Sequence, residues 1–178
     1  MLSTVISTVR RHKLALAAAA AAPLFVLAAG PASAASTETV HVVGHGNIGP
    51  GLSTTPTFQT SVTFASDAVV YTGQVGHGAG ASCNFSGASS IAETLQQGQG
   101  SGTVTCTGGS PDAISLSANV NYARTGGTVT LSGGGSGTIG GKAETCTITA
   151  GVFHFQPTSA PTVTSYRLEG DTALSCNP

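Results

Sequence analysis

Residues 113–132, AISLSANVNYARTGGTVTLS, decide the fold class. Apolar and polar side chains alternate with a period of two on both sides of the adjacent glycines, as in strands that bury one face. A two-residue turn at these glycines suits a type I′ or II′ hairpin, because glycine adopts positive φ without penalty. Such a turn pairs Arg124 with Val129 and Tyr122 with Leu131, which places the apolar side chains of both strands on one side. The stretch therefore predicts a β-hairpin.

The same alternation recurs in other parts of the chain. It is present in TFQTSVTFAS (57–66), ETCTITA (144–150) and VFHFQ (152–156). Short strands separated by Gly, Ser and Pro turns about every ten residues are typical of an antiparallel sandwich or barrel. We therefore predict a single all-β domain over residues 35–178, immunoglobulin-like or of a related architecture.

Residues 89–98 have the signals of one short helix. Ser90 and Glu93 have the spacing of a capping box, and Gly98 provides a C-terminal stop. We interpret Glu93 as this cap in preference to a catalytic carboxylate. The helix is expected between two strands that each carry a cysteine.

The first 34 residues have the features of a signal peptide. A basic cluster at residues 10–13 precedes an apolar run from residue 14 to residue 30, and the small residues 32–34 fit a cleavage site. The alternative is a retained signal anchor. The apolar run is interrupted by Pro23 and is about 17 residues long, at the short limit for a membrane span. We expect cleavage after Ala34, a secreted extracellular chain and no remaining membrane span.

The charge of the exported chain argues against two classes of partner. Without the leader, the three cationic residues Arg124, Lys142 and Arg167 face seven acidic ones, which gives a net charge of −4. Three scattered cations cannot neutralise a run of phosphates, and nucleic acid is therefore a poor candidate for a binding partner. The same shortage argues against a polybasic membrane contact. The expected partner is an extracellular or cell-envelope ligand.

The four cysteines indicate two disulfides, because an even number in an exported chain is typical of a disulfide framework. Three connectivities are possible. We favour neighbours in sequence, Cys83–Cys106 and Cys146–Cys176, each of which stabilises the fold by about 3 kcal/mol through the unfolded state. No C-x-x-C or zinc-finger spacing is present.

The remaining metal-ligating candidates are weak. His45 and His77 both stand between glycines, and neighbouring loops could bring them together with Asp67. His41 and His45 have a spacing that bridges a metal on a helix, but an extended strand separates them by about 13 Å. A histidine between glycines is also an ordinary turn residue. We therefore predict no metal site and keep His45, His77 and Asp67 as the candidates.

Residues 44–49, GHGNIG, match the dinucleotide-binding pattern G-x-G-x-x-G. That fingerprint needs a helix to begin at its third glycine, so that the helix amides hold the pyrophosphate. Here Pro50 and Pro56 follow in a stretch with no helical period. We interpret the segment as a loop and predict no cofactor.

No pattern in the chain indicates a catalytic centre. A G-x-S-x-G nucleophile elbow is absent, the acids are scattered, and there is no tryptophan to stack against a sugar. We therefore predict a secreted or envelope-associated, non-catalytic binding or structural module. One alternative is a small-molecule carrier with an apolar cleft larger than about 300 Å³. A secreted hydrolase is the other.

Several segments resemble, in their order, uncharacterised small secreted β-rich proteins of high-GC Gram-positive bacteria. They include FQTSVTF (58–64), SGASSIAETLQQGQGSGTVTC (86–106) and NYARTGGTVTLSGGGSG (121–137). The resemblance implies a secreted all-β domain and carries no activity or site residues. A looser similarity, in composition and in the two disulfides, is to immunoglobulin-like apoproteins that carry antibiotic chromophores, although the cysteines here are more widely spaced.

Overall fold

The computed structural model describes residues 34–49, 59–89, 93–94, 96–158 and 164–178. The predicted signal peptide lies outside these residues except for Ala34. Eight antiparallel strands form a closed barrel in the described part of the chain, and no helix there is long and apolar enough to cross a membrane. The strands are β1 (Ser36–Gly49), β2 (Ser61–Gly73), β3 (Gly78–Ser89), β4 (Gln97–Pro111), β5 (Ile114–Thr125), β6 (Thr128–Ile139), β7 (Lys142–Pro157) and β8 (Ser165–Asn177).

The closed barrel confirms the all-β prediction and, of the two predicted architectures, the barrel; the sandwich and the immunoglobulin-like alternative are wrong. Each strand pairs with its neighbours in sequence, and β8 pairs with β1, so the sheet closes on itself. An immunoglobulin-like fold instead needs two sheets joined by Greek-key connections. Alternation could not separate the two architectures, because both bury one face of every strand.

The hairpin of residues 113–132 has the predicted register. Tyr122 lies opposite Leu131, and Arg124 lies opposite Val129. Gly126 in the turn has a φ of 57°, a conformation that glycine adopts without strain. Alternate residues of β5 are at least partly buried, and the residues between them are exposed. Local pattern and turn chemistry were therefore sufficient to predict this part of the fold.

The short helix predicted for residues 89–98 is wrong. Strand β3 continues to Ser89 and β4 begins at Gln97, which leaves only a short connection between them. In this connection the Gln97 amide donates to Thr94 Oγ1 at 2.9 Å, and the Thr94 amide donates to the Gln97 carbonyl. Ser90, the proposed cap, lies outside the described residues. Glu93 is buried and is not a helix cap.

The glycine-rich residues 44–49 belong to strand β1, so the loop interpretation was also wrong. Gly44 and Gly46 are buried on the inward face of this strand. A Cβ at Gly44 would lie 2.5 Å from the Phe64 ring, and one at Gly46 would lie 2.5 Å from the Tyr166 ring. Glycine is needed here because the backbone carbonyls of Ala65 and Thr63 lie even closer, at 2.3 and 2.1 Å, and leave no space for a side chain.

Side chains fill the lower end of the barrel, which we define by the turns at residues 112–113 and 140–141. Ile114, Ile139 and Tyr71 are each 2% exposed there. The Tyr71 hydroxyl donates a hydrogen bond to the carbonyl of Asp112 in the first of these turns. This end is therefore closed by packing.

Both predicted disulfides are present. Cys83–Cys106 joins directly opposite residues of β3 and β4, and Cys146–Cys176 does the same for β7 and β8. All four cysteine side chains are buried in the core. Two disulfides suggest an oxidising environment of the extracellular type.

Candidate functional site

An apolar cavity of about 170 Å³ lies inside the barrel. Aliphatic side chains such as Leu116, Leu131 and Leu174 line it, together with aromatic rings that include Phe64 and Phe153. An engineered cavity of about 150 Å³ with a similar lining stays dry and binds benzene. The cavity is therefore large enough for one small apolar molecule.

Small residues on two neighbouring strands help to leave this space. Ala118 on β5 lies directly opposite Gly135 on β6, and both line the cavity. Since the two residues of such a pair share a face of the sheet, neither places a large side chain in the interior. Larger residues at these positions would reduce the volume open to a ligand.

A buried ion pair lies at the upper end of the barrel, which we define by the turn at residues 126–127. Arg124 comes from the inward face of β5, and Glu93 comes from the connection between β3 and β4. Arg124 Nε donates to Glu93 Oε1 at 3.2 Å, and the two side chains are 1% and 2% exposed. The Glu93 carboxyl group occupies the space where a Cβ of Gly98 would lie.

Other hydrogen bonds of Arg124 connect the segments that meet at this end. Its Nη1 donates to the carbonyl of Gly126 at 3.2 Å, and its Nη2 donates to the carbonyls of Gln97, at 3.2 Å, and Thr94. The guanidinium carbon lies 4.5 Å from the centroid of the Phe155 ring, a favourable cation–π contact. Arg124 therefore joins the β3–β4 connection to the β5–β6 turn.

Tyr122 completes the polar cluster. Its hydroxyl donates to Glu93 Oε2 at 3.2 Å and lies 3.0 Å from Ser89 Oγ. Burial raises the pKa of Tyr122; the hydrogen bond with Ser89 opposes this effect, and the nearby charge of Glu93 reinforces it. Burial also raises the pKa of Glu93, while the charge of Arg124 lowers it. The tyrosine is therefore neutral and serves as a donor to the carboxylate.

The hydrogen bonds of this cluster use both carboxylate oxygens of Glu93. Among the described residues, the buried side-chain atoms without a partner are Glu38 Oε2, Thr60 Oγ1 and Glu144 Oε2, which belong to other residues. Because one positive and one negative charge meet in the cluster, it carries no net charge. The cluster can close the cavity without offering an unpaired charge to a ligand.

The predicted metal-ligating candidates lie in two separate places. His45 Nδ1 is 2.9 Å from Asp67 Oδ1, between strands β1 and β2, and both side chains are exposed. His77 Nδ1 lies 3.4 Å from Asp112 Oδ2 at the lower end. The structure thus brings His45 and Asp67 together without His77. Within the described ranges, no three or more His, Cys, Asp or Glu side chains form a group that could hold a metal ion.

Sequence reasoning missed the role of Arg124. Its position continues the inward alternation of Val120 and Tyr122 along β5. A charged side chain at an inward position needs a partner of opposite charge, because burying an unpaired charge is costly. The alternation was therefore a signal for a buried ion pair, although it could not identify Glu93 as the partner.

Comparisons of the chain with protein-family models, curated proteins and solved structures find no match. Eight-stranded barrels have interiors just wide enough to be filled by side chains or to hold one small ligand. The cavity shows that side chains do not completely fill the interior of this barrel.

Proposed function

We propose that the protein is a secreted, non-catalytic binding module whose barrel interior holds a small apolar molecule. The observation that carries this proposal is the apolar cavity of about 170 Å³. Protein interiors are normally close-packed. A small apolar molecule in this space would make van der Waals contacts with the apolar side chains that line it.

The cavity volume limits the size of the ligand. The carrier alternative predicted an apolar cleft larger than about 300 Å³, a volume that the cavity of about 170 Å³ does not reach. A cavity of about 150 Å³ already accommodates benzene. The ligand is therefore a molecule of about one ring.

The titratable groups beside the cavity favour binding over catalysis. A general acid or base must be able to exchange a proton with the substrate. Glu93 is instead held by Arg124 and Tyr122, which use both of its carboxylate oxygens. This arrangement supports a structural role for the carboxylate.

Two further features support an extracellular location. The disulfides are stable in an oxidising compartment. Residues 1–34 have the sequence pattern of a signal peptide, and the resemblance to small secreted β-rich proteins agrees with it. The module would therefore take up its ligand outside the cytoplasm or at the cell envelope.

Filling the cavity tests the proposed function. Ala118→Leu adds bulk on the lining, whereas Ala123→Leu makes the same change at an exposed position of the same strand. Toluene binding is measured by calorimetry and by the shift in thermal unfolding. We expect the wild type and Ala123→Leu to bind toluene equally, and Ala118→Leu to bind at least tenfold more weakly. Equal binding by all three proteins, or none by the wild type, would show that the cavity is not a ligand site.

A further inference from the structure

We infer that the Glu93–Arg124 pair makes the interior site selective for uncharged ligands and excludes carboxylates, an inference that rests on the proposed function. The ligand class is then a neutral hydrocarbon or a neutral aromatic molecule of one ring. Glu93 is the residue that determines this specificity. Its carboxylate pairs with the Arg124 guanidinium, which would otherwise be able to bind the carboxylate of an organic acid.

An arginine at the end of an apolar cavity would by itself favour an anionic ligand. The planar guanidinium group presents a fork of N–H donors that matches a carboxylate, and charge-assisted hydrogen bonds of this kind are strong. Arg124 lines the cavity and is 1% exposed, so a carboxylate reaching it would be shielded from water. Arg124 without Glu93 would therefore make the barrel a receptor for small organic acids.

In the protein, the Glu93 carboxylate takes the place beside Arg124 that a ligand carboxylate would need. Its Oε1 accepts from Arg124 Nε at 3.2 Å, and the guanidinium also donates to backbone carbonyls that include those of Gly126 and Gln97. A ligand carboxylate would have to displace one of these partners and would lie close to the negative charge of Glu93. Taking an unpaired carboxylate out of water costs several kcal/mol, so such ligands are rejected.

A cationic ligand is excluded for the corresponding reason. The negative charge of Glu93 is already balanced by Arg124, and its second oxygen accepts the hydrogen bond from Tyr122. The other buried carboxyl groups described, those of Glu38 and Glu144, are not part of the cavity lining. An ammonium group would therefore lose its hydration without gaining a partner.

Nitrobenzene and benzoate test the inference, because they have nearly the same shape and differ in charge. Binding of each probe to the full chain is measured by calorimetry for the wild type, Glu93→Gln and Glu169→Gln. The last variant makes the same charge change on the exposed face of β8, where this side chain is 53% exposed. We expect the wild type and Glu169→Gln to bind nitrobenzene at least 100-fold more tightly than benzoate. In Glu93→Gln, the affinity for benzoate relative to that for nitrobenzene should increase at least tenfold.

Each outcome distinguishes selectivity from binding. Benzoate binding to the wild type as tightly as nitrobenzene would overturn the selectivity and leave the proposed function standing. A folded Glu93→Gln protein that gains no benzoate affinity relative to nitrobenzene would overturn the role of Glu93. If this variant does not fold, the wild-type comparison of the two probes still decides the selectivity. Binding of neither probe by the wild type would overturn both the inference and the proposed function.

Discussion

The two ends of the barrel bury carboxyl groups in different ways. At the upper end, both oxygens of Glu93 have partners, in Arg124 and Tyr122. At the lower end, Glu38 and Glu144 are 1% and 5% exposed, and each has one oxygen without a hydrogen-bond partner in the described part of the chain. A buried carboxylate is tolerated when its charge and lone pairs are satisfied, and it destabilises the fold when they are not. At the upper end, the charge of the buried carboxylate is therefore neutralised by a buried cation.

Steric closure dominates the lower end. Glu38 Oε1 accepts a hydrogen bond from the amide of Val75 at 2.6 Å, and its carboxyl group fills the space above Gly73. Buried Ile114 and Ile139 complete the closure. Because no cation is paired with Glu38 in the described structure, this carboxyl group contributes volume and one hydrogen bond. The comparison indicates that equal burial of a residue type does not mean equal contribution to stability.

Removing the cation of the upper end should change the free energy of unfolding more than any other change predicted below. Arg124→Met leaves Glu93 buried without a compensating charge and removes donors to three backbone carbonyls. Breaking one partner of a buried pair costs about 3–5 kcal/mol, and we expect a loss of this size in the free energy of unfolding measured with urea. Arg167→Met, at an exposed residue, should change it by less than about 0.5 kcal/mol. Similar losses in both variants would contradict the importance of the buried pair.

Removing a carboxylate from the lower end should increase the free energy of unfolding, the opposite of the change expected at the upper end. Glu144→Met replaces a buried side chain with an unpartnered oxygen by an apolar one of similar length. Relief of the desolvation cost should raise the free energy of unfolding by about 1–2 kcal/mol. Denaturant unfolding measures this change, with Glu169→Met as the exposed control. A clear decrease in stability would mean that Glu144 is satisfied in solution and that the two ends are alike.

The smallest effect is expected in the pH dependence of stability. Burial raises the pKa of Glu93 more than Arg124 lowers it, so the folded protein takes up this proton at a higher pH than the unfolded chain. By linkage, the associated stability is fully present below the unfolded pKa of about 4.3 and is lost as pH rises through the folded pKa. The free energy of unfolding of the wild type should therefore increase, relative to Glu93→Gln, as pH falls from about 7 towards this unfolded value. A difference that is constant with pH would show that the pKa of Glu93 is not shifted by folding.

Local sequence patterns predicted a large part of the barrel wall. The register of Tyr122 with Leu131 followed from period-two alternation and a glycine turn, and both are properties of short segments. The pairing of Cys83 with Cys106 followed from the preference for neighbouring cysteines in an exported chain. The helix prediction failed because Ser90 and Glu93 satisfy a local capping rule, whereas the tertiary structure uses Glu93 to neutralise a buried arginine.

The sequence by itself determined that the chain forms amphipathic strands with one buried face and two disulfides. Only the tertiary structure decided that these strands close into one barrel, because closure depends on strand tilt and on the stagger between distant strands. It also decided the candidate site. Glu93 and Arg124 are 31 positions apart, and no local pattern specifies their contact. Small residues such as Ala118 and Gly135, which line the cavity, face each other across neighbouring strands, an arrangement that the register of the sheet determines.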